Sequence, residues 1–397
     1  MTRRFTGSFT QQEALSKSAI AAAVAVLQSG RLHRYNLLPD EAGDVAQLET
    51  EYRDWQGSKF CLAVTSGGQA LQIALRACGV GPGAKVLTNA YTLAPVPGAI
   101  RAVGGDAVLV EIDENLRIDL DDLQSKIASS GARVLLLSHM RGHLCDMDRL
   151  MSTCDAEQVT VIEDCAHTMG ARWNGMRSGN FGKLACFSTQ TYKHMNSGEG
   201  GLLTTDDPDL TARATVLSGS YMLYERHGAG PAPEAFADAR YDMPNCSARM
   251  DALRAAILRP QLADLDRNIA RWNARYALVE KRLEAQDRVA TINLPAAETH
   301  VGSSIQFRLP DFTPDACRAV LEAAASRGVE LKWFGAQEPA GFTSAHPSWR
   351  YVPAQSLPET DRIMATLFDM RLPLSFSLDD CSLIADLICA AVGEVAS

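Results

Sequence analysis

Lys193 stands five residues after Ser188 in the run Cys186-Phe187-Ser188-Thr189-Gln190-Thr191-Tyr192-Lys193, and a Gly198-Glu199-Gly200-Gly201 turn follows. A lysine amine forms an imine with an aldehyde, and a serine hydroxyl at a strand end can bind a phosphate oxygen. In a second run, Val161-Ile162-Glu163-Asp164-Cys165-Ala166-His167, apolar residues deliver a carboxylate and, three residues later, an imidazole. A carboxylate so placed can keep a pyridine nitrogen protonated, which makes the ring an electron sink. In a third, Ser66-Gly67-Gly68-Gln69, small residues open a helix and let backbone N–H groups approach an anion at its positive end. Tyr91 is a fourth candidate, with a face that can stack on an aromatic ring.

Each feature has a plainer reading. Aspartate after a strand often caps the next element, strand-to-helix turns need glycine for geometry alone, and a lysine near glycines is usually solvated. A lone tyrosine more often packs in a core. The four differ from these cases in sharing one kind of location, the end of an apolar run.

The elements that must position them alternate short apolar runs with amphipathic stretches, the rhythm of a sheet whose strands are joined by helices. Strands are predicted at 60–65, 85–88, 107–111, 134–138, 159–163, 185–188 and 201–204. Ligands of open parallel sheets bind beyond the carboxyl ends of the strands, where these motifs lie. Residues 249–285 read as a long helical segment that Pro260 breaks or kinks. The remainder reads as a strand at 305–309, a helix at 314–327, a strand at 329–333 and helices near 358–368 and 378–393. Residues 221–245, rich in Gly, Pro and Tyr and without a period, read as an ordered functional loop. The expected division is a large domain over 1–245 with an N-terminal helical segment, a linking helical segment over 246–290, and a smaller α+β domain over 291–397.

The order and spacing of these runs, together with Gly81-Pro82-Gly83, resemble the DegT/DnrJ/EryC1/StrS aminotransferases, the sugar-aminotransferase branch of fold-type I pyridoxal-phosphate enzymes. The resemblance implies an α/β, aspartate-aminotransferase-like fold with a mostly parallel seven-stranded sheet. It implies pyridoxal 5'-phosphate on Lys193, with Asp164 at the pyridinium nitrogen, His167 beside the ring and Tyr91 stacked on it. The backbone of Gly67, Gly68 and Gln69 and the Ser188 hydroxyl would hold the phosphate. His143 and Tyr192 would face the substrate. A homodimer is implied, in which Asn245 or Arg249 of the neighbour reaches the phosphate or the substrate.

By the same resemblance, the reaction moves an amino group from glutamate or glutamine to a keto acceptor, a keto sugar (often nucleotide-linked) or a ketocyclitol. Lys193 separates the chain from the family's dehydratase members, in which histidine replaces that lysine. Two departures stand out. Asn89-Ala90-Tyr91-Thr92 replaces the common Pro-Ser-Phe-Thr, and Asn245-Cys246-Ser247-Ala248-Arg249-Met250 replaces Tyr-Asn-Tyr-Arg-Met. They leave a non-sugar substrate, an elimination or decarboxylation outcome, or a silent cofactor-binding regulator as alternatives.

Bulk properties narrow the partners. The formal charge of −9 over 397 residues gives no basic surplus for nucleic acid or an anionic membrane. Small molecules are the expected partners. The first twelve residues carry arginines without an apolar run behind them, and no stretch is long and apolar enough to span a bilayer, so a cytoplasmic protein is expected. The ten cysteines are scattered, with no CxxC pair, and read as free thiols. The absence of GxGxxG after a first strand argues against a dinucleotide-dependent oxidoreductase. His139 and His143 are four apart but follow a strand into a loop, and no metal is expected. His227 is read as either a substrate contact or simply exposed.

Overall fold

The computed structural model describes every residue except 1, 2, 39, 221, 337, 341–344 and 397. Seven strands form the main sheet: β1 (Phe60–Val64), β2 (Lys85–Asn89), β3 (Asp106–Val110), β4 (Val134–Ser138), β5 (Thr160–Asp164), β6 (Leu184–Ser188) and β7 (Gly201–Thr205). Their order across the sheet is β1-β7-β6-β5-β4-β2-β3, and β7 alone runs against its neighbours. Each of the seven strands predicted for this sheet is present, with ends shifted by no more than one residue, whereas the strand expected at 329–333 is confined to Lys332–Trp333. Helices cover both faces, so the strands are almost continuously apolar, as in Val134-Leu135-Leu136-Leu137.

The helix Gly67–Ala77 starts where the Ser66 hydroxyl accepts the Gln69 N–H at 3.1 Å, and it buries Ala70, Leu71, Ile73, Ala74 and Leu75 against the sheet. The carboxyl ends of β1, β2, β4, β5 and β6 thus open on the same edge as this helix's amino end, and β7, being reversed, starts there.

The long helical segment is two helices, Ala252–Ala263 and Leu265–Leu283, that meet at Asp264. Pro260 sits inside the first helix without ending it; the break falls four residues later. A second sheet contains β8 (Ala290–Thr291), β9 (Ser304–Arg308), β10 (Lys332–Trp333) and β11 (Leu367–Arg371), in the antiparallel order β8-β9-β11-β10. Here the sequence reading needs correction. The helix expected near 358–368 ends at Met364, and β11 follows it. Leu367, Phe368, Asp369 and Met370 are all buried, so the strand lacks the alternation that would have marked it.

Phe5 and Phe9 also pack into this second core, edge-on to Phe376 at 5.0 and 4.9 Å. Residues 222–245 include a short helix, Phe236–Asp242, with Tyr224 stacked on Phe236 at 4.5 Å; Tyr221 lies outside the described residues. No described helix is long and apolar enough to cross a membrane.

Candidate active site

A cavity of about 390 Å³ opens at the carboxyl edge of the main sheet. Ser66, Gly67 and Gly68 line one part of it with Ser188, and Asp164, His167, Tyr192 and Lys193 line another. Three separate stretches of sequence therefore converge, because each ends a neighbouring strand.

The tip of β5 presents two adjacent carboxylates with opposite environments. Glu163 points away from the cavity. Burial alone would raise its pKa, but His139 at 3.0 Å and the backbone N–H groups of Gly179, Phe181 and Gly182 hold the carboxyl below its usual range. Asp164 is pushed up by burial, and neither the nearby Lys193 nor its bonds from the Ala166 N–H at 3.2 Å and the Ser138 hydroxyl at 3.3 Å cancel the shift. Glu163 is thus saturated by the fold, whereas Asp164 is aimed into the cavity with few donors. The Asn89 side chain locks this edge, donating to the Ser138 carbonyl at 3.0 Å and accepting the Ser138 N–H at 2.9 Å.

Lys193 Nζ lies 2.7 Å from His167 Nε2. Burial lowers the lysine pKa, and the positive charge of Arg141, then of Arg371 and Lys332, adds to the shift, bringing it to about 7 against the pull of Asp164. His167 is driven well below its normal value by burial and by Lys193, so it is neutral at physiological pH. A neutral imidazole can accept a hydrogen bond from Lys193 Nζ at this distance. The site therefore contains an amine that is substantially unprotonated near neutrality, which is what a nucleophile or a base requires.

Several sequence assignments change. Tyr91 does not line the cavity. It is fully buried with Ile112, Leu116 and Leu367, and its ring meets Phe334 edge-on at 5.2 Å. The chain turns after β2 so that Leu93, two residues on, reaches the cavity instead. His143 also stays out: it is buried, with Nε2 2.8 Å from Gln306 Oε1 and its ring stacked on His300 at 5.4 Å. The Gln69 N–H is occupied by the Ser66 cap, leaving Gly67 and Gly68 at the cavity wall. His227 is neither exposed nor at the cavity; it is buried against Arg34 at 3.3 Å and the Tyr35 hydroxyl at 3.1 Å.

Asn245 and Arg249 do not line the cavity of their own chain. Asn245 accepts the Ser247 N–H, and Arg249 donates to the Gly219 carbonyl. Tyr192 does line it, beneath the Arg371 guanidinium at 3.9 Å from its ring centre. Sequence reasoning missed Arg141 and Arg371, which both line the cavity. Arg141 follows a strand end, a location that points to the cavity, but Arg371 ends a strand that was not predicted, whose first two residues fell in the expected helix at 358–368.

The family model of the DegT/DnrJ/EryC1/StrS aminotransferases matches residues 14–388. The chain is 30% identical over 290 residues to 3-amino-5-hydroxybenzoate synthase of Amycolatopsis mediterranei (strain S699), covering 72% of each protein. It is 34% identical over 288 residues to dTDP-3-amino-3,4,6-trideoxy-alpha-D-glucose transaminase of Streptomyces venezuelae, covering 71% of this chain and 69% of that one. Among solved structures, 3-amino-5-hydroxybenzoic acid (AHBA) synthase superposes with a TM-score of 0.82 at 26% identity, over 99% of this chain and 100% of that chain. A match that spans nearly the whole chain places it in the DegT/DnrJ/EryC1/StrS aminotransferase family, as a pyridoxal-phosphate-dependent aminotransferase.

Proposed function

We propose that Lys193 is the residue to which pyridoxal phosphate is linked, and that glutamate or glutamine donates the amino group. The cavity suits that cofactor. A Cβ at Gly67 would stand 2.8 Å from the Ser188 Cβ, so the amino end of the Gly67–Ala77 helix and the Ser188 hydroxyl close on one another as a cradle for a phosphate. The poorly satisfied Asp164 carboxylate suits a protonated ring nitrogen. The observation that carries the reading is the Lys193 Nζ contact with His167 Nε2 at 2.7 Å, beside Asp164 in a cavity.

When bound, the cofactor supplies an aldehyde for the amino group and a ring that takes up electrons. Lys193 Nζ would hold the cofactor, and once released it would be placed to take and return a proton at the donor's α-carbon. Asp164 would hold the ring-nitrogen proton, and the backbone N–H groups of Gly67 and Gly68 and the Ser188 hydroxyl would hold the phosphate. Neutral His167 steadies Nζ. Leu93 and Ala166 supply apolar walls on the cavity.

The acceptor is proposed to be a keto sugar, often nucleotide-linked, or a ketocyclitol, in keeping with relatives that include a dTDP-sugar transaminase and an L-glutamine:scyllo-inosose aminotransferase. A homodimer is proposed as well. Ile20, Val24 and Leu27 are exposed along one side of the helix Lys17–Ser29, which packs on Ala252–Ala263. Arg249 precedes that second helix, so burying the stripe in a second copy would bring Asn245 and Arg249 towards the neighbour's site.

The test is an absorption spectrum of the cofactor-loaded protein before and after L-glutamate or L-glutamine, with light scattering on the same sample. Conversion from the lysine-linked form to pyridoxamine phosphate, in a particle of twice the chain mass, is expected. A bound cofactor that neither donor converts would refute the donor assignment, and a monomer would refute shared sites.

A further inference from the structure

The turn Met140–Gly142, which follows β4, reaches the second sheet with two side chains at once. Arg141 Nη2 donates to Asp369 Oδ2 at 2.7 Å, and His143 Nε2 lies 2.8 Å from Gln306 Oε1. Asp369 and Gln306 face each other as direct cross-strand partners of β11 and β9, and Gln306 Nε2 donates to Asp369 Oδ1 at 2.7 Å. Both are fully buried. Arg141, Asp369, Gln306 and His143 thus form a closed clamp whose first and last members lie two residues apart in the chain.

Gln306 is engaged at both ends of its amide. Nε2 also reaches Ser304 Oγ at 2.9 Å, and Oε1 is the acceptor for His143. A flipped amide would set its oxygen against the Asp369 carboxylate, so one orientation fits, and His143 carries its proton on Nε2. Burial and then the neighbouring His300 push the His143 pKa down to about 3, so the ring stays neutral and keeps that single donor.

Arg141 needs such a hold. Its backbone lies at φ 59° and ψ 13°, the left-handed region that side chains of its type rarely occupy, and such conformations persist where the surroundings over-determine them. Its guanidinium lines the cavity, where the carboxylates of an amino donor must be met. An amide and a carboxylate buried in the middle of a strand pair stabilise a fold no better than apolar side chains of similar volume. Here they restrict rotation. With Oδ1 taken by Gln306, the Asp369 carboxylate keeps Oδ2 turned towards Arg141.

We propose that Gln306, which does not line the cavity, is a positioning residue for the amino donor: through Asp369 it fixes where Arg141 presents its guanidinium. This rests on the aminotransferase reading and adds to it a residue of the second sheet. A guanidinium already held in place meets a donor carboxylate without first losing rotamer freedom. A loosened one weakens donor binding and leaves the proton transfers at Lys193 unchanged.

The test uses the cofactor-loaded protein. Calorimetry compares glutarate with glutaramide, which match in length and differ in charge. Single-turnover absorption follows the half-reaction with L-glutamate and separates its half-saturating concentration from its limiting rate. The parent is expected to prefer glutarate by about 30-fold or more. Gln306→Met should cut that preference about tenfold and raise the half-saturating L-glutamate concentration about tenfold, with the limiting rate within about threefold. Gln306→Asn draws the amide back by one carbon and should move the first two quantities by at least about threefold; it serves if Gln306→Met fails to fold.

Gln306→Glu is the rescue. The titratable groups facing position 306 are Asp369 and His143, with Arg141 and Lys332 beyond the carboxylate and His300 beyond the ring. A carboxyl so close to Asp369 keeps its proton, donates it to Asp369 and accepts from His143, so the glutarate preference should return to within about threefold of the parent at about pH 6.5. Equal binding of the two probes by the parent would overturn the proposal, as would a folded Gln306→Met or Gln306→Asn with the parent's preference. So would a lowered limiting rate with no change in preference, or a Gln306→Glu no better than Gln306→Asn. Failure of the aminotransferase reading shows separately, as a parent spectrum that L-glutamate leaves unchanged.

Discussion

Replacing Lys193 with glutamine is expected to abolish amino-group transfer, by on the order of 10⁴-fold or more, while leaving the chain folded. Glutamine is one atom shorter than lysine but stays polar and uncharged, so packing around His167 changes little. What disappears is an amine that can be both nucleophile and base. Two measurements check this: steady-state turnover, and borohydride reduction followed by mass analysis, which should fix the cofactor to Lys193 in the parent and to nothing in Lys193→Gln. Turnover within about 100-fold of the parent would remove Lys193 from the chemistry.

The same residue sets a pH dependence. Its pKa is pushed down to about 7, by burial first and by Arg141, Arg371 and Lys332 after it. Only the neutral amine attacks an aldehyde, so covalent capture of pyridoxal phosphate by the cofactor-free protein should rise with pH through 7 and level off above it. At pH 5, about 1% of such amines are neutral. A capture midpoint near that of a free lysine would mean that the cavity does not act on Nζ as the geometry implies.

The second large effect is expected at Asp164. Asp164→Asn preserves shape and can still accept from the Ala166 N–H through its one amide oxygen, while its NH2 can donate to the Ser138 hydroxyl, but it cannot hold a positive ring nitrogen by charge. Turnover should fall by about 10²–10³-fold, the scale of losing one preorganised electrostatic contact. Stability should move the other way. Burial raises the Asp164 pKa, so the folded state without cofactor carries a penalty for the charged carboxylate at neutral pH, and that penalty vanishes below the unfolded pKa. Cofactor-free Asp164→Asn should therefore unfold at the same or a higher denaturant concentration than the parent at pH 7, and the two should converge as the pH falls towards 4. A destabilised variant with unaltered turnover would contradict both halves.

Tyr91 and Leu93 show where local reading stops. Both follow β2, both are large, and either is plausible at the cavity from sequence alone. The direction of the turn after Asn89 decides between them: Tyr91 meets Phe334 and Leu367 in the core, and Leu93 faces the cavity. The determining atoms come from residues more than 240 positions away in the chain. His143 is similar, since Gln306 and His300 hold its ring away from the cavity.

The sequence by itself determined the seven main strands, the family and the convergence of Ser188, Asp164 and Lys193. The physical reason is that strands buried on both faces must be apolar runs, and that ligands of such sheets gather where those runs end. The tertiary structure alone decided which side chains past those ends reach the cavity. It also joined Arg141, Lys332 and Arg371 around Asp369. No periodicity announces such a cluster, because its members come from a loop and two strands far apart in the chain, and one of those strands is buried too evenly to look like a strand. Their common environment exists only once the second sheet has closed against the first.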